Sequence, residues 1–455
     1  MTEHRNVIIV GGGLSGLAAA QFLGKLRPEL SVLVLEKGSR PGGAIRSFAA
    51  EGYLAEWGPH GFLDNTPESL ELLADIGLDR EVQRAPLGDF VRFICRRGKL
   101  IQLPQKPQAL LTTPLLSPAG KLRLLADLWR RPRHDEQTVG QWAAYRFGRE
   151  VLPLVDAAVT GTFAGDFERL SIDAVMPGVR RLEQEYGSVL RGLIKKKKKE
   201  SDTGKGLPAM LSFPQGLERL VEALIQGKDI RLESGISGLT QEKTGWSLEG
   251  VDQSYQADAL IIAVGINQAL PLLAPLSPPP VTEVPEARLA NVALGFPETA
   301  IPKAFGYLAP EVEGRFTMGA LFSSRMFPGR APTGHVLIEA LVGGRRHPER
   351  LTLNDEEITS RVYEDLRELL PLPEPPRFQE VLRPAMGIPQ LELGHLDLLH
   401  WRRELEQAST GLAVCGFGWD GIGINEMVKA AKKAAQTAAG QAGADREAEV
   451  KPVYF

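Results

Sequence analysis

The residues best suited to chemistry stand at the start of the chain. Val7 to Gly16 read VIIVGGGLSG, an apolar run broken by glycines, and a second run, SVLVLEK, delivers Glu36 twenty residues beyond Gly16. This is the spacing of a strand–turn–helix–strand unit that binds an adenine dinucleotide. Gly11 lets the chain turn out of the strand, Gly13 lets backbone approach a pyrophosphate, and Gly16 lets the helix pack on the strand. Gly12, Leu14 and Ser15 complete the turn, where the first N–H groups of the helix lack intrahelical acceptors and can hold phosphate. The Glu36 carboxylate can then accept both hydroxyls of the adenosine ribose. The competing reading is an ordinary glycine-rich strand end. The order strand, helix, strand, acid favours the dinucleotide, without separating NAD from FAD.

The elements that must position this site belong to a large chain. At 455 residues it exceeds the size at which one hydrophobic core usually stops growing, so two or three domains are expected. Its 43% apolar and 24% charged residues are those of a folded protein. A net charge of −3 offers no basic field for nucleic acid. Two cysteines, Cys95 and Cys415, give neither a disulfide framework nor metal-ligand spacing, which suits a reducing, cytoplasmic compartment. No stretch reaches the roughly 20 apolar residues of a spanning helix, and the N-terminal apolar run is already used as a strand.

Further glycine loops extend the dinucleotide site. Lys37 leads into Pro41-Gly42-Gly43-Ala44, and Trp57-Gly58-Pro59-His60-Gly61 forms a second close-approach loop. Near the C-terminus an apolar strand ends at Gly416, followed by Gly421-Ile422-Gly423-Ile424-Asn425 and an alanine-rich helix from Glu426 to Gln441. Strand, glycine loop and helix N-terminus again suit anionic or carbonyl oxygen atoms. Such additions lengthen the site toward FAD.

GGGLSGL, LEKGSRPGGAIRS and EWGPHGF together resemble the FAD-binding amino oxidase superfamily. Arg97-Gly98-Lys99-Leu100, Gly161-Thr162-Phe163-Ala164-Gly165-Asp166, Phe213-Pro214-Gln215-Gly216-Leu217 and Gly387-Ile388-Pro389-Gln390 are similar, in order, to the protoporphyrinogen oxidase family. The resemblance implies an α/β fold: a doubly wound, Rossmann-like FAD-binding domain from segments 1–85, 207–274 and 384–455. It also implies an α+β substrate domain from 86–106 and 275–383, and a helical membrane-associating lobe from 107–206. It implies non-covalent FAD held by the glycine loops named above, with Ile236 at the adenine end. Protoporphyrinogen IX would lose six electrons to the flavin as hydride equivalents, and dioxygen would return as hydrogen peroxide. Arg92 matches the family's substrate arginine, able to bind a propionate in bidentate fashion, while Gly161 leaves room for the macrocycle. Phe305, Leu308 and Met318 are the expected apolar wall.

The flavin supplies the chemistry, so no catalytic side chain and no metal ligand are assigned. His395, beside the IPQ motif, reads first as a residue that fixes a loop. Two residues depart from the family, Leu391 where tyrosine is common and Glu426 where aspartate is usual. Coproporphyrinogen III oxidation on the same fold is the alternative activity. A non-catalytic flavin- or porphyrin-binding protein, delivering tetrapyrrole to a ferrochelatase, is the alternative class. A second copy of the chain and the inner face of the cell membrane are the remaining candidate partners.

Four local expectations complete the reading. Residues 91–102 form a hairpin about Arg97-Gly98, and 290–341 give successive strands of an antiparallel sheet. Residues 271–285, rich in proline, form a linker. Lys195 to Lys199 form a solvated loop. Ala119 to Arg131 form a helix with Leu122, Leu125 and Trp129 near one face. Its residues alone favour packing against the body; the resemblance favours a membrane surface.

Overall fold

The strand Glu3–Val10 shows why the first layer forms. Alternate side chains of a strand face opposite sides. Val7 and Ile9 join one core with Leu17 and Leu23 of helix Leu14–Leu26 and Val428 and Ala431 of helix Ile424–Ala438. Ile8 and Val10 join a second core with Leu270 and Leu398. A strand buried on both faces needs helices on both, and this one has them. The computed structural model describes residues 3–104, 112–200, 207–298, 300–372 and 374–440.

That strand lies at the middle of a seven-stranded sheet. Its neighbours are Val32–Leu35, followed by Asp229–Arg231, on one side and Ser254–Ile262 on the other, all parallel to it. Strand Leu412–Val414 continues the parallel set beside Leu260–Ile262. The carboxyl ends of Val10, Leu35, Ile262 and Val414 therefore open on one edge, where doubly wound sheets place their ligands. The apolar run from Ala259 is the expected buried strand, with Leu260, Ile261 and Ile262 fully buried.

A second seven-stranded sheet runs Phe378–Leu382, Leu289–Pro297, His335–Gly343, Gly319–Leu321, Ala304–Leu308, Val91–Arg96 and Lys99–Gln102. The hairpin about Arg97-Gly98 forms as expected. The sheet is not wholly antiparallel, however: Ala304–Leu308 runs parallel to Val91–Arg96. No hairpin links these two strands, so their direction is set by the tertiary path and not by a turn. Helix Asp355–Arg367 covers one face through Ile358, Val362 and Leu366. Asn354 and Glu357 close its N-terminus with a capping box.

The helical lobe is held by a charged core. Arg146 is fully buried, 3.0 Å from Asp127 and 2.5 Å from Glu183, and Trp142 donates its indole N–H to Glu183 at 2.6 Å. Each carboxylate is thus paired as well as hydrogen-bonded, the condition for tolerating buried charge.

Three expectations need correction. The lysine run is helical, part of Val189–Glu200, and not a loop. Lysine is a good helix former, and cations suit the negative end of the helix dipole; residues 201–206 lie outside the described set. The proline-rich stretch begins inside a helix, because Ile266–Leu273 contains Pro271; at the sixth position its missing N–H costs one bond. The helix over 119–131 is shorter, Pro118–Leu125 followed by a tight turn at Ala126–Leu128. Its apolar side chains are not packed on the body: Leu122, Leu125 and Trp129 are exposed by 69%, 48% and 76%.

Candidate active site

The first sheet's carboxyl edge opens into a cavity of about 2410 Å³. Ligand pockets usually measure about 300–1,000 Å³, so this one has room for a dinucleotide and a second large molecule. Gly11, Gly13, Leu14, Ser15, Glu36, Lys37, Gly43, Ala44, Gly58, Pro59, His60 and Gly61 line it. So do Ile236, Ile422, Gly423 and Ile424, so that three distant parts of the chain meet at one cavity.

The geometry of the cradle explains the glycines. Gly11 has φ +111°, and a Cβ on Gly16 would stand 1.9 Å from the Gly11 carbonyl oxygen. Gly16 therefore packs helix on strand, outside the cavity wall. A Cβ on Gly43 would lie 3.3 Å from the Gly13 Cα, so two bare backbones meet at the cavity wall. Gly12 also stands back from the wall, donating its N–H to Glu36 Oε2 at 2.7 Å, while Gly38 donates to Oε1 at 2.7 Å. The Glu36 carboxylate is thereby fixed at the end of its strand. The Ser15 hydroxyl, buried at the helix N-terminus, has no hydrogen-bond partner within the protein. A buried orphan there fits a phosphate oxygen, as does the helix end itself. The residues present fit FAD.

The same cavity continues into an apolar chamber. Arg92, Gly161, Phe305, Leu308 and Met318 all line it. The Arg92 guanidinium stands 5.2 Å from the Phe305 ring centroid, and burial lowers its pKa from the ordinary arginine value. Gly161 lies in helix Leu152–Phe163, where a Cβ would meet both Leu308 methyls at 2.9 Å. The lobe helix and the second sheet therefore pack closely here, and a side chain at position 161 would have to displace Leu308.

Sequence reasoning missed a buried charge cluster behind the Gly58–Gly61 loop. The His60 ring has its Nε2 3.1 Å from Glu339 Oε1, near enough for an ion pair but not aligned as a hydrogen bond. Glu339 also accepts from Asn291 at 2.8 Å, from the Glu56 backbone N–H at 3.1 Å, and from Ser323. Glu56 is bound by Arg330 at 2.6 Å and by Ser47 at 2.6 Å. Glu339, Glu56 and Arg330 are all nearly inaccessible. Burial disfavours the charged imidazole of His60, but Glu339 beside it, with Glu56 behind, outweighs that and raises its pKa despite Arg330. Burial acts upward on Glu339 too, yet His60, Ser323 and Arg330 hold its carboxyl down to about 2. A single glutamate within the apolar strand HVLIEALVG was the one sequence signal, since a lone buried charge requires partners.

The remaining sequence candidates are placed as follows. His395 is buried at the first turn of helix His395–Ala408 and does not line the cavity. Burial and the nearby Arg402 lower its pKa to about 4, so the ring is neutral. Leu391 and Glu426, the two departures, both line the cavity. Asn425 ties the last helix to the 63–69 segment, donating to the Leu63 carbonyl at 2.9 Å and accepting from Ser69 at 2.7 Å.

Comparison with known proteins agrees with this architecture. The family model for flavin containing amine oxidoreductases matches residues 14–439. The chain is 32% identical to a chloroplastic protoporphyrinogen oxidase of Nicotiana tabacum, covering 95% of this chain and 85% of that protein. It is 28% identical to a coproporphyrinogen III oxidase of Bacillus subtilis (strain 168), covering 95% and 98%. A crystal structure of a proposed protoporphyrinogen oxidase from Exiguobacterium sp. 255-15 superposes with TM-score 0.81 at 23% identity, over 97% of this chain and 100% of that one. Reduced UDP-galactopyranose mutase superposes with TM-score 0.72 at 15% identity, over 96% of each chain, and shares the fold alone. The glycine cradle, the continuous chamber and these matches agree: the chain belongs to the flavin containing amine oxidoreductase family and is an oxidoreductase that uses FAD.

Proposed function

We propose that this enzyme oxidises protoporphyrinogen IX to protoporphyrin IX, with dioxygen as the final acceptor and hydrogen peroxide as by-product. The observation that carries the reading is an apolar chamber, continuous with the FAD cradle, whose wall places the Arg92 guanidinium beside Phe305, Leu308 and Met318. A flat apolar macrocycle with propionate arms matches that chemistry. In this reading Gly11, Gly13, Leu14, Ser15, Glu36, Lys37 and the backbone of the Gly43-Ala44 and Gly58–Gly61 loops hold the dinucleotide, with Gly12 and Gly16 shaping the turn behind them. Ile236 meets its adenine end, and Ile422 to Ile424 meet the far end. FAD, when bound, accepts the electron pairs that leave the substrate. Arg92 anchors a propionate; Phe305, Leu308 and Met318 exclude water, and Gly161 admits the ring. Segments 1–85, 207–274 and 384–455 serve the cofactor, 86–106 and 275–383 the substrate, and 107–206 the lobe.

The Bacillus relative makes coproporphyrinogen III the competing substrate, a tetracarboxylate that would need further cations. The test is to supply each porphyrinogen to the purified yellow protein and follow porphyrin fluorescence. The expected result is rapid oxidation of protoporphyrinogen IX and at least about tenfold lower kcat/KM for the tetracarboxylate, one unpaired carboxylate costing more than about 1.4 kcal/mol. The reverse preference would transfer the assignment.

The lobe is the proposed contact with a membrane surface, on the cytoplasmic face. No helix among the described residues is long and apolar enough to cross a membrane. Leu122, Leu125 and Trp129 are exposed together with Leu193 and Ile194 of the packed helix Val189–Glu200. Lys121, Arg130, Arg131 and the lysine run stand in the same two segments, and each basic residue near an anionic surface contributes about 1 kcal/mol. The double variant Leu122→Glu/Trp129→Glu is expected to lose at least about tenfold in binding to anionic vesicles at low salt, two buried apolar side chains contributing about 1.5–3 kcal/mol each. Unchanged co-sedimentation would remove the lobe from the membrane.

A further inference from the structure

Oxidation of a porphyrinogen releases a proton for every hydride, and a water-excluding chamber needs a group to take it. Among the residues placed above, His60 has the required placement. It lines the cavity that holds Arg92, Phe305 and Gly161. Its Nε2 is buried and turned toward Glu339, so the cavity side of the ring presents Nδ1. Behind the ring, Glu339 is fixed by Asn291, Ser323 and the Glu56 backbone. A carboxylate held this rigidly sets the imidazole's tautomer and orientation and strengthens it as a base.

We infer that His60, positioned by Glu339, is the general base that accepts the pyrrole N–H proton while hydride leaves the neighbouring meso carbon. This rests on the proposed porphyrinogen substrate. In each round the meso C–H bond would break, with FAD, when bound, as the acceptor of its hydrogen and both electrons. The N–H bond breaks, its proton goes to His60 Nδ1, and its electron pair completes the new double bond. After the third round one meso proton moves to a pyrrole nitrogen, which gives the four meso C–H and two N–H groups of the porphyrin. Dioxygen then takes the two electrons and two protons as hydrogen peroxide, which leaves His60 neutral for the next round.

The charged groups that face His60 give the proposal its pH signature. Glu339 on strand His335–Gly343 and Glu56 on strand Tyr53–Glu56 favour the imidazolium, and Arg330 opposes it. The base form is the neutral ring, so kcat rises as pH increases through a His60 pKa that lies above the ordinary imidazole value. Removing the Glu339 charge lowers that pKa and moves the rise to lower pH.

The experiment is a pH profile of kcat on the preferred porphyrinogen for wild type, His60→Gln and Glu339→Gln. FAD content is read from visible absorbance, and the ring titrations are followed by NMR of labelled histidines in the holoprotein. His60→Gln is expected to retain FAD, lose about 100-fold in kcat and lose the ascending limb. Glu339→Gln is expected to keep the limb at lower pH, with the His60 ring titration displaced in the same direction. An unchanged limb in FAD-loaded His60→Gln overturns the inference, as does a His60 titration that ignores Glu339→Gln. If Glu339→Gln does not fold, the His60→Gln profile decides alone. Retained porphyrinogen oxidation with an unaltered profile would remove the base and leave the proposed function standing. A wild-type chain inactive on both porphyrinogens would remove both.

Discussion

Replacing Arg92 with alanine raises KM for the porphyrinogen by about tenfold to a hundredfold, the range expected when a charged hydrogen-bonding partner contributing about 1.5–3 kcal/mol is removed. The side chain belongs to a strand of the second sheet, on the chamber side, and stands over the Phe305 ring. It is not among the residues assigned to the dinucleotide, so bound FAD per chain is expected to stay at the wild-type level. A contact made equally before and during the reaction alters KM with little change in kcat. Arg92→Lys recovers part of the loss, because an ammonium keeps the charge but not the bidentate fork. Steady-state kinetics beside a flavin absorbance ratio checks this directly. Wild-type KM in a fully loaded Arg92→Ala enzyme would remove the propionate anchor.

The second large effect is on the cofactor. Gly16→Ala places a methyl group 1.9 Å from the Gly11 carbonyl oxygen. No rotamer relieves this, because Cβ is fixed by the backbone, so helix Leu14–Leu26 must move away from strand Glu3–Val10. That displaces the helix N-terminus and the Ser15 hydroxyl from the phosphate position. The variant is expected to purify colourless or to bind FAD at least about tenfold more weakly, with a lowered Tm; overpacking alone costs about 1–3 kcal/mol. Gly24→Ala in the same helix is the control. A Cβ there meets nothing within 4 Å, and the gain in helix propensity is up to about 1 kcal/mol. Flavin titration of the two variants separates steric exclusion from any general effect of altering a helix glycine. Normal FAD affinity in Gly16→Ala would contradict the packing argument.

Much of the site was legible because its signals are local. Gly11, Gly13 and Gly16 lie within one turn, and Glu36 follows after one helix and one strand, so spacing alone implies the supersecondary unit. The Asn354–Glu357 capping box was equally visible, since both partners are three residues apart. Arg92 and Gly161 came from motif resemblance, and neither could have been chosen from its residue type.

Illegible features depended on what lay opposite. The lysine run reads as a solvated loop until its helix Val189–Glu200 is seen leaning on Ala126–Leu128. The direction of strand Ala304–Leu308 against Val91–Arg96 was fixed by a chain path and not by a turn. Leu122 and Trp129 have the spacing of a buried face, and only the fold shows that face to be exposed.

By itself, then, the sequence determined the adenine-dinucleotide cradle, the alternation of helices and parallel strands, and, through matched motifs, the flavin family. Tertiary structure alone decided the buried cluster of His60, Glu339, Glu56 and Arg330. Glu56 and Glu339 lie 283 residues apart, and no periodicity or spacing rule connects them. The physical reason is desolvation: each of these charges is tolerable only when the others arrive, and their meeting is a property of the folded chain.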